Sequence, residues 1–276
     1  MARQVFPAVL SAIVWIGMMA GSAAGQAPEQ CAAPSLMIPA SARELPRTSA
    51  ALSRKKDLRI VAVGSSSTQG TGSSGPAMTY PAQLDRILEA RFPGVKIEVV
   101  NKGIGGEKAA GTLARLDRDV LALKPDLVIW QLGTNDALGK VDAKLFGIQA
   151  TEGIRRIREA GADLMLLEPQ FLPKQAGNAT YAAYVDAVRA LGAAHGIPVF
   201  RRSEVMKHWL DNKQFTPATM LSSDQLHMTD ASYRCLAELM ADAIVPATIP
   251  AVQPPAGQTI KVLSGPTAVR NAEMPR

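Results

Sequence analysis

Between Leu58 and Arg201 the chain alternates short apolar runs with longer stretches whose apolar residues recur every three or four positions. The runs are Leu58–Val63, Val95–Val100, Asp126–Leu132, Asp163–Leu167 and Pro198–Arg201. Among the stretches between them, Leu113, Leu116, Val120 and Leu123 share one helical face, as do Phe146, Ala150, Ile154 and Ile157, and then Tyr181, Val185, Val188 and Leu191. A strand that is apolar at successive positions must be buried on both faces, which requires a parallel sheet between two layers of helices. Five such strands predict a single-domain three-layer α/β/α sandwich on a flavodoxin-like sheet of order 2-1-3-4-5. In sheets of this kind the site lies beyond the carboxyl ends of the strands, so the residues that follow each strand are where chemistry is expected.

The ends of the chain read differently. Residues 1–27 have the form of an export leader: Arg3 supplies a basic start, Val5 to Ala20 is uncharged and mostly apolar, and Ser22-Ala23-Ala24 and Gly25-Gln26-Ala27 offer two small-residue cleavage points. The apolar run is short against the ~20 residues that span a bilayer, so cleavage is expected rather than stable membrane insertion. The mature protein is then periplasmic or secreted. Gln30 before Cys31 argues against a lipoprotein. Residues 28–56 and 244–276 carry four and six prolines, no aromatic residue and no sustained apolar period, and read as mobile flanks of one domain at 57–243. The net charge of +6 needs no special partner, and no nucleic acid is expected; a mildly basic soluble surface accounts for it.

Two cysteines and three histidines exclude a Cys-rich zinc module and a disulfide miniprotein. An exported chain meets an oxidising compartment. On the helix expected after Thr229, the residues Tyr233, Leu236, Ala237, Met240 and Ile244 share a face, and Cys235 is turned away from it. Two readings stay open for Cys235: a small buried thiol, or a disulfide with Cys31 that staples the leading flank to the last helix.

Four segments lie at the sheet edge where a site is expected, or feed into it. Gly64-Ser65-Ser66-Ser67-Thr68-Gln69-Gly70 follows the first strand, Asn101-Lys102-Gly103-Ile104-Gly105-Gly106 the second and Gly133-Thr134-Asn135-Asp136 the third, while Asp224-Gln225-Leu226-His227 precedes the last helix. Acyl transfer by a serine needs a nucleophile, a base, a group to orient the base, and donors for the developing oxyanion. Ser66 in its Gly-led turn suits the nucleophile and would add its own N–H. Gly106, without a side chain, and the Asn135 amide suit the other oxyanion donors. His227 suits the base and Asp224 its orienting carboxylate.

In order and content these blocks resemble the SGNH hydrolases, the GDSL-type esterases and lipases, over about Arg59 to Ala243. The resemblance implies a metal-independent ester hydrolase without a cofactor, using Ser66, Asp224 and His227 with an oxyanion hole of Ser66, Gly106 and Asn135. It also selects Ser66 over its neighbours Ser65 and Ser67. One position departs from the family: Ser65 stands where Asp is usual, which implies altered support of the loop rather than lost chemistry.

Blander readings exist for each residue. A serine can satisfy a turn, Gly106 can be a loop necessity, Asn135 and Asp136 can cap a helix, and Asp230 is expected to cap the last one. His195 reads as a helix C-terminal residue and His208 as part of a helix beside Trp209. Gly70-Thr71-Gly72-Ser73-Ser74-Gly75 matches the dinucleotide fingerprint by letter, but it starts several residues after its strand, and the second strand ends in Asn101 rather than an acid. A phosphate loop would need Gly-Lys-Ser/Thr, and a metal hydrolase convergent histidines. The expected substrate is an ester: short O-acyl groups on an envelope or extracellular glycan, or alternatively lysophospholipids or longer acyl chains. A non-catalytic glycan- or lipid-binding module on the same scaffold is the remaining alternative. Nothing in the sequence speaks to oligomeric state.

Overall fold

The computed structural model describes residues 29–35 and 45–245. The expected leader at 1–27 and the tail beyond Val245 lie outside the described residues. Among the described residues the sheet has five parallel strands, β1 Leu58–Gly64, β2 Ile97–Gly103, β3 Leu127–Gln131, β4 Asp163–Leu167 and β5 Val199–Phe200, in the order 2-1-3-4-5. The helices are α1 Pro46–Ser53, α2 Ser66–Gln69, α3 Tyr80–Arg91, α4 Ala109–Asp119, α5 Thr134–Leu138, α6 Ala143–Glu159, α7 Ala179–His195, α8 Arg202–Asp211, α9 Pro217–Met220 and α10 Asp230–Ile244.

Successive strand residues enter opposite cores, as the pleat requires. Ile60, Ala62, Leu127, Ile129, Met165 and Leu167 pack with Leu84 and Leu88 of α3, Trp209 of α8 and Leu236 and Met240 of α10. Val61, Val63, Val128, Trp130, Leu164 and Leu166 pack with Leu116 of α4, Phe146 and Ile154 of α6 and Val188 of α7. Two hydrophobic layers therefore cover the sheet, the arrangement that the uninterrupted apolar runs demanded. No helix among the described residues is long and apolar enough to cross a membrane.

The leading flank, expected to be mobile through residue 56, is instead partly built into the fold. Helix α1 begins at Pro46 and buries Leu45, Thr48, Ala51 and Leu52. Thr48 donates both its N–H and its hydroxyl to Asp163 Oδ2, at 2.7 and 2.8 Å, and Arg47 pairs with Asp126 at 2.8 Å. The stripe is short and includes a threonine, so it carries little periodic signal, but its partners are in place at the amino ends of β3 and β4. The segment Glu29–Cys31 is a short 3₁₀ turn against α10, where Cys31 and Cys235 form a disulfide with a Cα–Cα distance of 4.8 Å. Cys235 is therefore not on a free face. It is 2% exposed because the leading segment covers the side of α10 opposite the main stripe.

Candidate active site

The first loop is shaped by Gly64, which ends β1 at φ +155° and brings the chain so close to β3 that a Cβ there would meet the Gln131 carbonyl at 2.7 Å. The neighbouring Gln131 side chain organises the turn. Its Oε1 accepts from Ser65 N at 2.8 Å, Ser65 Oγ at 2.9 Å and Thr68 Oγ1 at 3.3 Å. Ser65 is thus a buried anchor, held from β3. Ser67, also buried, donates to Gln170 Oε1 at 2.6 Å. Ser66, half-buried at the start of α2, lies with its Oγ 2.7 Å from His227 Nε2. Its own N–H belongs to a first helical turn, where amides have no intrahelical partner.

The base loop is assembled within a few residues. Asp224 Oδ1 accepts from the N–H groups of Leu226 and His227, both at 2.9 Å, and from Ser222 Oγ at 2.7 Å, while Oδ2 lies 2.6 Å from His227 Nδ1. The compact turn places Gln225 at φ +57° and explains the three-residue spacing of acid and base. Burial raises the Asp224 carboxyl, but the His227 ring, the two backbone N–H groups and the Ser222 hydroxyl outweigh it and hold the group well below the carboxylate range. A carboxylate only accepts, so Nδ1 carries the imidazole proton and Nε2 of the neutral ring accepts from Ser66.

The Gly70–Gly75 run packs beside this loop. Gly72 has φ +91°, and a Cβ on it would meet Met228 O at 2.5 Å and His227 Cβ at 2.8 Å. Ser74 donates its N–H and hydroxyl to the Asp230 carboxylate at 2.8 and 2.6 Å, and Tyr233 donates to Thr71 O at 2.8 Å. Asp230 is consequently engaged as a clasp. The cap of α10 is Thr229, paired reciprocally with Ser232, which corrects the expectation for Asp230.

On the other side, Gly106 is exposed at φ +74°, and a Cβ there would meet nothing within 4 Å. Its glycine is set by backbone conformation rather than by lack of space. Asn135, half-buried at the start of α5, donates through Nδ2 to Glu107 O at 2.9 Å, which leaves the amide its second N–H. Glu107 is paired with Arg115 of α4 at 2.5 Å, both side chains 7% exposed, and Arg115 also donates to Lys102 O at 2.7 Å. Asp136 caps α4 rather than α5, accepting from Ala109 N at 3.1 Å; burial raises its carboxyl. His195 ends α7 ahead of Gly196 in left-handed conformation, and His208 lies on α8 beside Asn212. Both are away from the loops that hold Ser66. Gln131 had no signal in the sequence because its partners Ser65 and Thr68 lie more than 60 residues away, and the Glu107–Arg115 pair had none because Glu107 lies in the loop ahead of α4, outside helical spacing.

The sheet order, with Ser66, His227 and Asp224 in hydrogen-bonded series beyond the strand ends, defines the class as that of the SGNH hydrolases, a superfamily of ester hydrolases. Within it, the chain belongs to the non-GDSL lipase-like family, whose sequence pattern matches residues 30–249. That description agrees with Gly64-Ser65-Ser66 in place of Gly-Asp-Ser. An acetylxylan esterase of Geobacillus stearothermophilus is 39% identical over 84 residues, which cover 30% of this chain and 38% of that protein. An arylesterase of Vibrio mimicus is 27% identical over 168 residues, 60% of this chain and 78% of the relative. Among solved structures, an α/β hydrolase from the metagenome of Lake Arreo, Spain, superposes with a TM-score of 0.58 at 25% identity, covering 68% of this chain and 94% of its own.

Proposed function

We propose that this protein is an exported serine esterase that removes short O-acyl groups, acetyl foremost, from a glycan or another hydroxylated molecule. The observation that carries the reading is the series Ser66 Oγ, His227 Nε2, His227 Nδ1, Asp224 Oδ2, with contacts of 2.7 and 2.6 Å. Ser66 attacks the ester carbonyl as its proton passes to His227 Nε2, and Asp224 stabilises the imidazolium that results. The oxyanion takes hydrogen bonds from the N–H groups of Ser66 and Gly106 and from Asn135 Nδ2. The tetrahedral intermediate collapses by breaking the bond to the alcohol oxygen, which receives the proton from His227. Water then cleaves the acyl-serine by the same route: His227 takes its proton and returns it to Ser66.

Two features support the finer parts of the reading. The acetylxylan esterase likeness favours a small acyl group on a sugar. Export is favoured by the leader-like residues 1–27 and by a buried disulfide, a bond kept in oxidising compartments. A second reading, cleavage of lysophospholipids or longer acyl esters, rests on Ile104 in the Gly106 loop and Leu138 at the end of α5, which are 46% and 40% exposed.

The test is turnover of p-nitrophenyl acetate, butyrate and octanoate, followed by mass spectrometry of acetylated xylo-oligosaccharide and lysophospholipid as rival substrates. Acetate preference and release of acetate from the oligosaccharide are expected, with turnover abolished in Ser66→Ala. Full turnover by Ser66→Ala would sink the mechanism, and a preference for octanoate and lysophospholipid would decide for the second reading.

A further inference from the structure

We propose that Gln170 is a positioning residue that sets the register between the nucleophile turn and the base loop; the inference rests on the serine esterase reading. Gln170 lies three residues beyond β4 and is 1% exposed. The two ends of its amide reach two separate loops. Oε1 accepts from Ser67 Oγ at 2.6 Å, and Nε2 donates to Leu226 O at 2.5 Å. Ser67 immediately follows Ser66, and Leu226 immediately precedes His227. The planar amide is thus a strut parallel to the Ser66–His227 contact, one residue away from it on both sides. Its backbone is fixed in turn, because Tyr181 of α7 donates its hydroxyl to Gln170 O at 2.7 Å.

The chemistry of this position selects an amide. A carbonyl such as Leu226 O can only accept, so the NH₂ end must face it, and the oxygen end then faces the Ser67 hydroxyl. A leucine would deprive the buried Ser67 hydroxyl and the partly buried Leu226 carbonyl of this partner. An ionised carboxylate would still accept from Ser67 but would confront Leu226 O with a second acceptor. Since the strut acts on the alignment of two reacting groups rather than on the substrate, its loss falls on kcat and on the reactivity of Ser66, not on KM. A misplacement of about 1 Å in such a pair costs on the order of 10²-fold in rate.

The test uses Gln170→Leu and Gln170→Glu with p-nitrophenyl acetate, the labelling rate of Ser66 by a fluorophosphonate, and thermal unfolding to establish the folded fraction. Gln170→Leu is expected to lose about 10- to 100-fold in kcat and in labelling rate, with KM changed less than about twofold. Gln170→Glu is expected to add a falling alkaline limb, because the introduced carboxyl can donate to Leu226 O only while protonated. A folded Gln170→Leu with wild-type kcat overturns the proposal. So does a Gln170→Glu profile parallel to the wild type's, whatever the fate of Gln170→Leu. A wild-type protein that neither hydrolyses esters nor takes up the label would instead overturn the esterase reading itself.

Discussion

The base loop and the oxyanion loop face each other across Ser66, and they are built in opposite ways. Asp224 meets Ser222, Leu226 and His227 in one compact turn, so the acid and the base are positioned by their own neighbours in the chain. The oxyanion side is held by a relay between elements: Asn135 by Glu107 O, Glu107 by Arg115 of α4, and the Lys102 carbonyl at the end of β2 by Arg115 as well. Apart from the Gln170 contact at Leu226 O, the first design needs little beyond its own sequence. The second depends on α4 and α5 being packed before Gly106 and Asn135 are where they must be.

Breaking the buried pair tests that contrast most severely. Arg115→Met leaves Glu107 buried without its partner, which costs on the order of 3–5 kcal/mol. Chemical denaturation should show it, and a residual folded fraction should lose ester turnover as well. If stability changes by less than about 1 kcal/mol, the oxyanion loop is as self-contained as the base loop. Asn135→Ala is milder for the fold and aims at the transition state: kcat should fall ~10²–10³-fold while unfolding stays near the wild type. A loss confined to KM would place Asn135 outside the oxyanion contacts.

The smallest effect is expected in the base loop and is read through pH. The Asp224 carboxyl is held below its ordinary value of 3.8 in the folded state. Its stabilising contribution is therefore fully present above that value and is lost as pH falls through the lower, folded one. Asp224→Asn should flatten the acid limb of a stability profile below about pH 5, by an amount reduced by the 45% exposure of the side chain. Unchanged acid limbs would show that the local turn is held by something other than its carboxylate.

The same contrast explains what could be read from the sequence. The Asp-x-x-His block was legible because its contacts are local, and the strands because burial on both faces leaves continuous apolar runs. Sheet order followed from strand number and connection type. Gln131 and Gln170 were not legible: they meet Ser65 and Ser67 from 66 and 103 residues away, with no period to announce them. Boundaries shifted where a local contact competed. Val95 closes a turn onto Phe92 O, so β2 starts at Ile97, and α8 takes over at Arg202, leaving β5 two residues long. The leading flank misled for a different reason. Its composition is that of a loop, and the order of its described parts comes from Asp163, α10 and Cys235, all of which lie outside residues 28–56.

That disulfide joins residues 204 positions apart, so the chain from Cys31 to Cys235 is a closed covalent ring. Ser66, Gly106, Asn135, Asp224 and His227 all lie on it. A protease that cuts one exposed turn of the ring opens it without separating the pieces, and a nicked molecule keeps its whole catalytic set on one covalent framework.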